Sequence, residues 1–181
     1  ELVARAYSTA CAGRPGPVVL ALPEDMLAAS SDVEDAPRHR IIQPSPSAAD
    51  VGAVQSALAG AQRPIVIAGG GSWTPRASDG LRAFAEANRL PVGAAFRRQD
   101  VLDNDSPSYV GDVGIGINPA LAERVRGADV LLVVGPRLGE MTTSGYTLVD
   151  VPRPRQVLVH VHPGAEELGR VYQAEVPVLA G

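Results

Sequence analysis

Apolar residues along this chain fall into two patterns. The first is a short, mostly apolar run. It recurs as Pro17-Val-Val-Leu-Ala-Leu22, Pro64-Ile-Val-Ile-Ala68, Leu90-Pro-Val-Gly-Ala-Ala95, Ala128-Asp-Val-Leu-Leu-Val-Val134, Gln156-Val-Leu-Val-His-Val161 and Glu175-Val-Pro-Val-Leu179. Runs of this length and texture predict buried strands, the last of them, Glu175–Leu179, edge-like. The second pattern is amphipathic and lies between the runs. A helix is predicted over 2–12, with Gly13 able to end it in the left-handed conformation. Ser47 opens another, with Asp50 standing where a capping box prefers Glu, and this helix runs to about Leu58 and stops at Gly60. Thr74-Pro75 reads as an N-cap followed by proline at the first helical position. That helix carries Leu81, Phe84 and Ala85 on one face and ends near Asn88. Asn118-Pro119 starts a helix through Arg126, and a short one is placed around Ala165–Leu168. Residues 96–117 and 136–155 are long connections.

From Ser47 onward, strands alternate with helices. That order predicts an α/β fold, a doubly wound, Rossmann-like parallel sheet with helices on both faces. A helix–strand appendage precedes it. The expected organisation is an appendage over 1–30, a proline-bearing linker over 31–46, and the sheet domain over 47–181. In such a sheet, ligands bind outside the carboxyl ends of the strands. The long or glycine-rich loops 69–74, 96–117, 135–155 and 160–164 all follow strands, so they are expected to gather on one rim.

Composition narrows the setting more than the fold. With 45% hydrophobic and 20% charged residues, the chain is ordinary for a globular protein. Net charge is −4 without long single-sign runs, which argues against nucleic acid or an anionic membrane as partner. No apolar run reaches the ~18–20 residues that span a bilayer. The single Cys11 allows no internal disulfide, and a cytoplasmic location is expected. The chain begins at Glu1 rather than Met, which is read as the start of a fragment.

Candidate chemistry lies on the expected rim. Gly69-Gly70-Gly71 joins a strand to a helix N-terminus, where backbone N–H groups favour phosphate. The G-x-G-x-x-G spacing is not met, because Thr74 holds its last position. The triple glycine is therefore read either as a ligand-approach turn or as a tight turn alone. Arg97, Arg98 and Arg137 sit just past strand ends, where a guanidinium can hold a diphosphate; Arg97 and Arg98 read equally as solvated loop arginines, and Arg137, after Gly135-Pro136, is the preferred candidate. His160 and His162 straddle Val161 and so share one side of their strand. They are read either as two metal ligands lacking an evident third, or as imidazoles bonding a ligand or the backbone. No Ser-His-Asp set, P-loop or paired carboxylates stand out, so no catalytic residue and no metal site is assigned.

The run Gly13-Arg14-Pro15-Gly16-Pro17 through Pro23-Glu24-Asp25 resembles the segment that closes the pyrimidine-binding domain of thiamine diphosphate-dependent enzymes. The family meant is the acetolactate synthase, pyruvate oxidase and benzoylformate decarboxylase superfamily. The remainder resembles their central domain, through Pro64–Gly71, Leu90–Phe96, Asp105–Asp112 with Gly114, Ala128–Leu138 and Val159-His-Val-His-Pro163. The resemblance implies a parent enzyme that binds thiamine diphosphate and Mg2+ between subunits of a homodimer or homotetramer. It implies α-keto acid substrates that are decarboxylated or ligated. The pyrimidine-activating Glu would lie before Glu1 and the diphosphate-binding Gly-Asp-Gly…Asn motif after Gly181, so these residues would be the non-catalytic part. In flavin-bearing members the central domain holds FAD, and in others an ADP-like nucleotide or nothing. Carried over by position, the candidate contacts are Gly69, Gly70, Gly71, Arg97, Gly114, Arg137, His160 and His162. Both histidines stand where the family has acidic residues. The alternatives are a stand-alone NAD- or nucleotide-binding module and a structural oligomerisation domain. Residues 1–22 would lack their own sheet, so they are expected to find substitute packing or remain irregular.

Overall fold

The structure is a computed structural model that describes every residue except Arg38 and Ser72. The expected linker 31–46 and turn 69–74 therefore each contain one position outside the described residues. The chain divides into two compact units, Glu1–Gln43 and Pro44–Gly181.

In the first unit, α1 spans Leu2–Cys11 and α2 spans Glu24–Ala28. The strand expected over Pro17–Leu22 does not form. Those residues pair with no ladder, and Val19 is 92% exposed. A strand needs neighbours for its backbone N–H and C=O groups, and an apolar run supplies none. No described residue of this unit is buried, so it has no closed core of its own.

The second unit opens with α3, Ala48–Ala59. Its capping box forms as expected: Asp50 N donates to Ser47 Oγ at 3.1 Å, and Ser47 N donates to Asp50 Oδ2 at 2.8 Å. The elements then run β1 (Ile65–Ala68), α4 (Pro75–Asn88), β2 (Val92–Ala95), β3 (Tyr109–Val113), α5 (Pro119–Arg126), β4 (Val130–Val134), β5 (Val157–His162) and β6 (Val176–Leu179). Short 3-10 turns occupy Gln99–Val101 and Ala165–Glu167. Thr74 Oγ1 accepts from Ala77 N and caps α4, while Asn118 Oδ1 accepts from Ala120 N and caps α5.

The six strands form one sheet in the order β3-β2-β1-β4-β5-β6, with every neighbouring pair parallel. This is the order of the dinucleotide-binding fold. Strand β3 lies inside what the sequence presents as a connection. It is an edge strand interrupted by Gly111 at φ 109°, and its register against β2 shifts between Val92 and Gly93. Those features remove the apolar run by which the other strands are recognised.

Alternation along the strands sends side chains into two cores. On one face Ile65, Ile67, Leu131, Val133 and Leu158 meet Leu121 and Val125 of α5, together with Leu148 and Tyr172. On the other, Val66, Ala68, Val92, Leu132 and Val159 meet Ala85 and Leu81 of α4 and Val54 and Leu58 of α3. Helices thus cover both faces. At the amino edge the Asp129 carboxylate accepts from Gln62 N at 2.5 Å and Arg63 N at 3.0 Å, fastening the entry of β4 to the entry of β1.

Candidate functional site

Parallel strands put every strand-to-loop exit on the same edge. The order reverses between β1 and β4, so the loops after these two strands leave in opposite directions and open a crevice. Gly70 and Gly135 stand there, at φ 76° and 88°. A Cβ on Gly70 would collide with the Gly135 carbonyl, so the two turns touch backbone to backbone and only glycine fits. Trp73 Nε1 donates to Gly69 O at 2.5 Å and holds the first turn from outside.

Beside this contact lies an open cavity of about 600 Å³. Its walls include Gly70, Phe96, Arg98, Arg137, Met141 and Tyr146, from the loops after β1, β2 and β4. That size falls in the range of small-molecule and cofactor sites (~300–1,000 Å³). Arg98 is committed to its own turn, its Nε and Nη2 bonding the two Asp100 oxygens at 2.8 and 3.1 Å. Arg137 is half exposed, and its nearest carboxylate, Glu167, is 4.0 Å away. The backbone N–H groups of Gly139, Glu140 and Met141, all on the wall, donate to no acceptor among the described residues. Arg137 and these open N–H groups offer donors to an oxyanion, and the Glu140 carboxylate on the same wall opposes one.

The candidates from the sequence are distributed unequally around it. Gly70 and Arg137 line the cavity. Gly69 is buried beneath it, with a Cβ there 2.6 Å from the Ala95 Cβ. Gly71 lines a smaller apolar cavity of about 180 Å³ with Trp73, Val134, Gly135 and Val161. Gly114, at φ 146°, lets the loop after β3 pass under Met141 O and Phe96. Arg97 turns outward, its guanidinium 5.0 Å over the Phe96 ring, and its neighbour Arg98 reaches the cavity instead. His160 and His162 share the Leu158 face of β5, as the two-residue spacing requires, and both are buried behind the crevice wall. His160 Nε2 meets Pro136 O at 3.0 Å, and His162 Nδ1 accepts from Gly164 N at 3.0 Å. Burial holds the His160 imidazole below its ordinary pKa, with a smaller push the same way from His162; the Pro136 carbonyl opposes it. Among the described residues no three His, Cys, Asp or Glu side chains are grouped to hold a metal.

Residue-level reading missed Phe96, Thr142 and Tyr146 on the wall. For Thr142 and Tyr146 the available signal was the length of the loop after β4, since long structureless loops in compact domains are usually functional. Tyr146 and Ser144 both hold left-handed backbone, at φ 62° and 51°.

A second cavity of about 600 Å³ opens at the amino edge, among Gln55, Leu58, Phe84, Asn88, Arg89 and Arg124. The carboxyl ends of α3 and α4 face it, and their dipoles favour cations. Arg124 already donates to Arg63 O and Pro64 O at 3.0 and 2.7 Å. This end is therefore less suited to phosphate than the carboxyl edge.

A parallel sheet in this order, with glycine turns meeting at its switch point and a crevice beside them, defines a doubly wound, Rossmann-like domain. Comparison with known proteins narrows the class. The family described as "Thiamine pyrophosphate enzyme, central domain" matches residues 51–181, and the chain belongs to it. It is 29% identical over 179 residues to acetolactate synthase isozyme 2 large subunit of Escherichia coli K12, covering 97% of this chain and 32% of that protein. It is 31% identical over 185 residues to the acetolactate synthase large subunit of Parasynechococcus marenigrum, covering 99% of this chain and 30% of that one. Benzoylformate decarboxylase from Polynucleobacter necessarius has the same fold, with a TM-score of 0.72 at 24% identity, over 99% of this chain and 33% of that one. The chain thus spans about a third of the length of these relatives. No helix among the described residues is long and apolar enough to cross a membrane.

Proposed function

We propose that this chain serves a thiamine diphosphate-dependent, acetolactate synthase-like enzyme acting on α-keto acids, as the non-catalytic central domain that holds an ADP-bearing nucleotide, ADP or FAD. One observation carries the nucleotide reading: Arg137 and the open N–H groups of Gly139, Glu140 and Met141 line the same crevice, beside the Gly70–Gly135 contact. Arg137 would hold a phosphate oxygen through its guanidinium, the N–H row would take others, and Phe96 and Tyr146 offer ring surfaces for a flat base. Thiamine diphosphate, when bound, supplies the electron sink for keto-acid chemistry. No residue here is assigned to it or to Mg2+; on this reading they are held by parts of the enzyme outside these residues. This chain's part is to build a rigid nucleotide-filled body between them.

The test is equilibrium binding of ADP and FAD to the full-length protein and to Arg137→Gln. Binding by the parent, weakened about tenfold in the variant, is expected from loss of one charge-assisted contact. Absence of binding by either nucleotide contradicts the reading, as does unchanged affinity in the variant.

A further inference from the structure

Behind the crevice wall stands a carboxylate that the nucleotide reading does not use. Glu167 closes the 3-10 turn after β5 and only 7% of its side chain is exposed. Its Oε1 lies 3.0 Å from Nη1 of Arg170 and 4.0 Å from Nη1 of Arg137. A buried carboxylate persists only where charge and hydrogen bonds compensate its lost hydration. Two guanidiniums thus face this one carboxylate. Of the two arginines, Arg137 is the one on the crevice wall. A guanidinium is a rigid planar fork of five N–H donors. Attraction of Nη1 toward Glu167 biases the plane in which the remaining donors are offered, without fixing it, since 4.0 Å is beyond hydrogen-bond distance.

We propose that Glu167 is a positioning residue for the crevice. It draws one edge of Arg137 inward and leaves the opposite edge aimed at a ligand oxyanion, a phosphate of the bound nucleotide. This rests on the nucleotide reading above. Because Arg137 is 54% exposed and the contact is long, solvent screens it. The effect on affinity is accordingly modest, about three- to fivefold.

The experiment is a double-mutant cycle on the full-length protein, read as ADP affinity by calorimetry with a melting temperature for each variant. Glu167→Gln is expected to weaken ADP about three- to fivefold, and Arg137→Gln about tenfold. In the Arg137→Gln background, Glu167→Gln is expected to add nothing. Arg170→Gln, which leaves the carboxylate and Arg137 in place, is expected to keep ADP affinity within twofold. Equal affinity of Glu167→Gln and the parent overturns the proposal. So does an additive loss in both backgrounds, or a comparable loss in Arg170→Gln, since each marks a turn that is merely loosened. Should Glu167→Gln not fold, Glu167→Asp replaces it, and the same coupling to Arg137 is required. If the parent binds neither ADP nor FAD, this proposal and the nucleotide reading fall together; if it binds FAD alone, the same cycle is read with FAD; if Arg137→Gln weakens binding and Glu167→Gln does not, this proposal alone falls.

Discussion

Pro17-Val-Val-Leu-Ala-Leu22 and Pro64-Ile-Val-Ile-Ala68 are almost the same piece of sequence: a proline, then branched aliphatic residues. The second becomes β1, paired in parallel with β2 on one side and β4 on the other, each of its four residues buried. The first forms no ladder, and Val18, Val19 and Leu22 are exposed. Local propensity is the same in both, so neighbours decide the outcome. β1 has strands that satisfy its backbone and helices that cover both faces. The 17–22 run has no strand partner, and apart from half-buried Leu20 its side chains are exposed. Strand formation here follows from tertiary partners rather than from the apolar run itself.

The most severe way to break this comparison is to truncate both runs in the 181-residue chain. Ile65→Ala empties space in a fully buried strand and is expected to cost about 2–5 kcal/mol. Val19→Ala is expected to change stability by no more than about 0.5 kcal/mol. Urea unfolding of both variants checks this, and a Val19→Ala cost approaching that of Ile65→Ala would show that the first run is a buried strand after all.

A second test moves from the strand to the turn that leaves it. Gly70→Ala places a methyl against the Gly135 carbonyl and imposes left-handed backbone on alanine. Backbone cannot swing aside as a side-chain tip does, so a loss of about 3 kcal/mol is expected, with loss of nucleotide binding. The glycine at the end of the 17–22 region's own turn, Gly16, meets nothing within 4 Å, so Gly16→Ala is expected to be close to neutral in the same unfolding measurement.

The smallest effect concerns pH. Burial is the main cause that keeps the His160 imidazole below its ordinary value of 6.5, so the unfolded chain takes up a proton that the folded chain resists. This contribution to stability is full above about pH 6.5 and declines as pH falls below it, until the folded imidazole itself titrates. His160→Gln is expected to flatten stability against pH in that window. A variant that loses stability on acidification as steeply as the parent would show that His160 is not the group responsible.

Much of the fold was legible because five short apolar runs from Pro64 onward alternate with amphipathic segments, and each became a strand. The capped starts at Ser47, Thr74 and Asn118 were legible for the same kind of reason: one side chain answers one backbone N–H. Strand β3 was hidden because an edge strand buries little and tolerates Gly111 and Asp112 in its middle. The crevice was legible as a place, since parallel strands force their exits to one rim. Its wall was less so. Whether Arg97 or Arg98 faces inward depends on the left-handed backbone of Arg97, at φ 61°. The position of Tyr146 depends on the path of an irregular loop. The depth of the two histidines follows from which face of β5 they share with Leu158, and periodicity alone does not say which face meets the ligand.

Residue-resolved amide hydrogen exchange on the full-length protein, with and without ADP, tests the account most directly. Slow exchange is expected at Ile65–Ala68 without ligand, and added ADP is expected to slow Gly139, Glu140 and Met141 and the turn at Gly70. No change on adding ADP, or slowing confined to the amino-edge cavity around Leu58, Phe84 and Arg89, would contradict it.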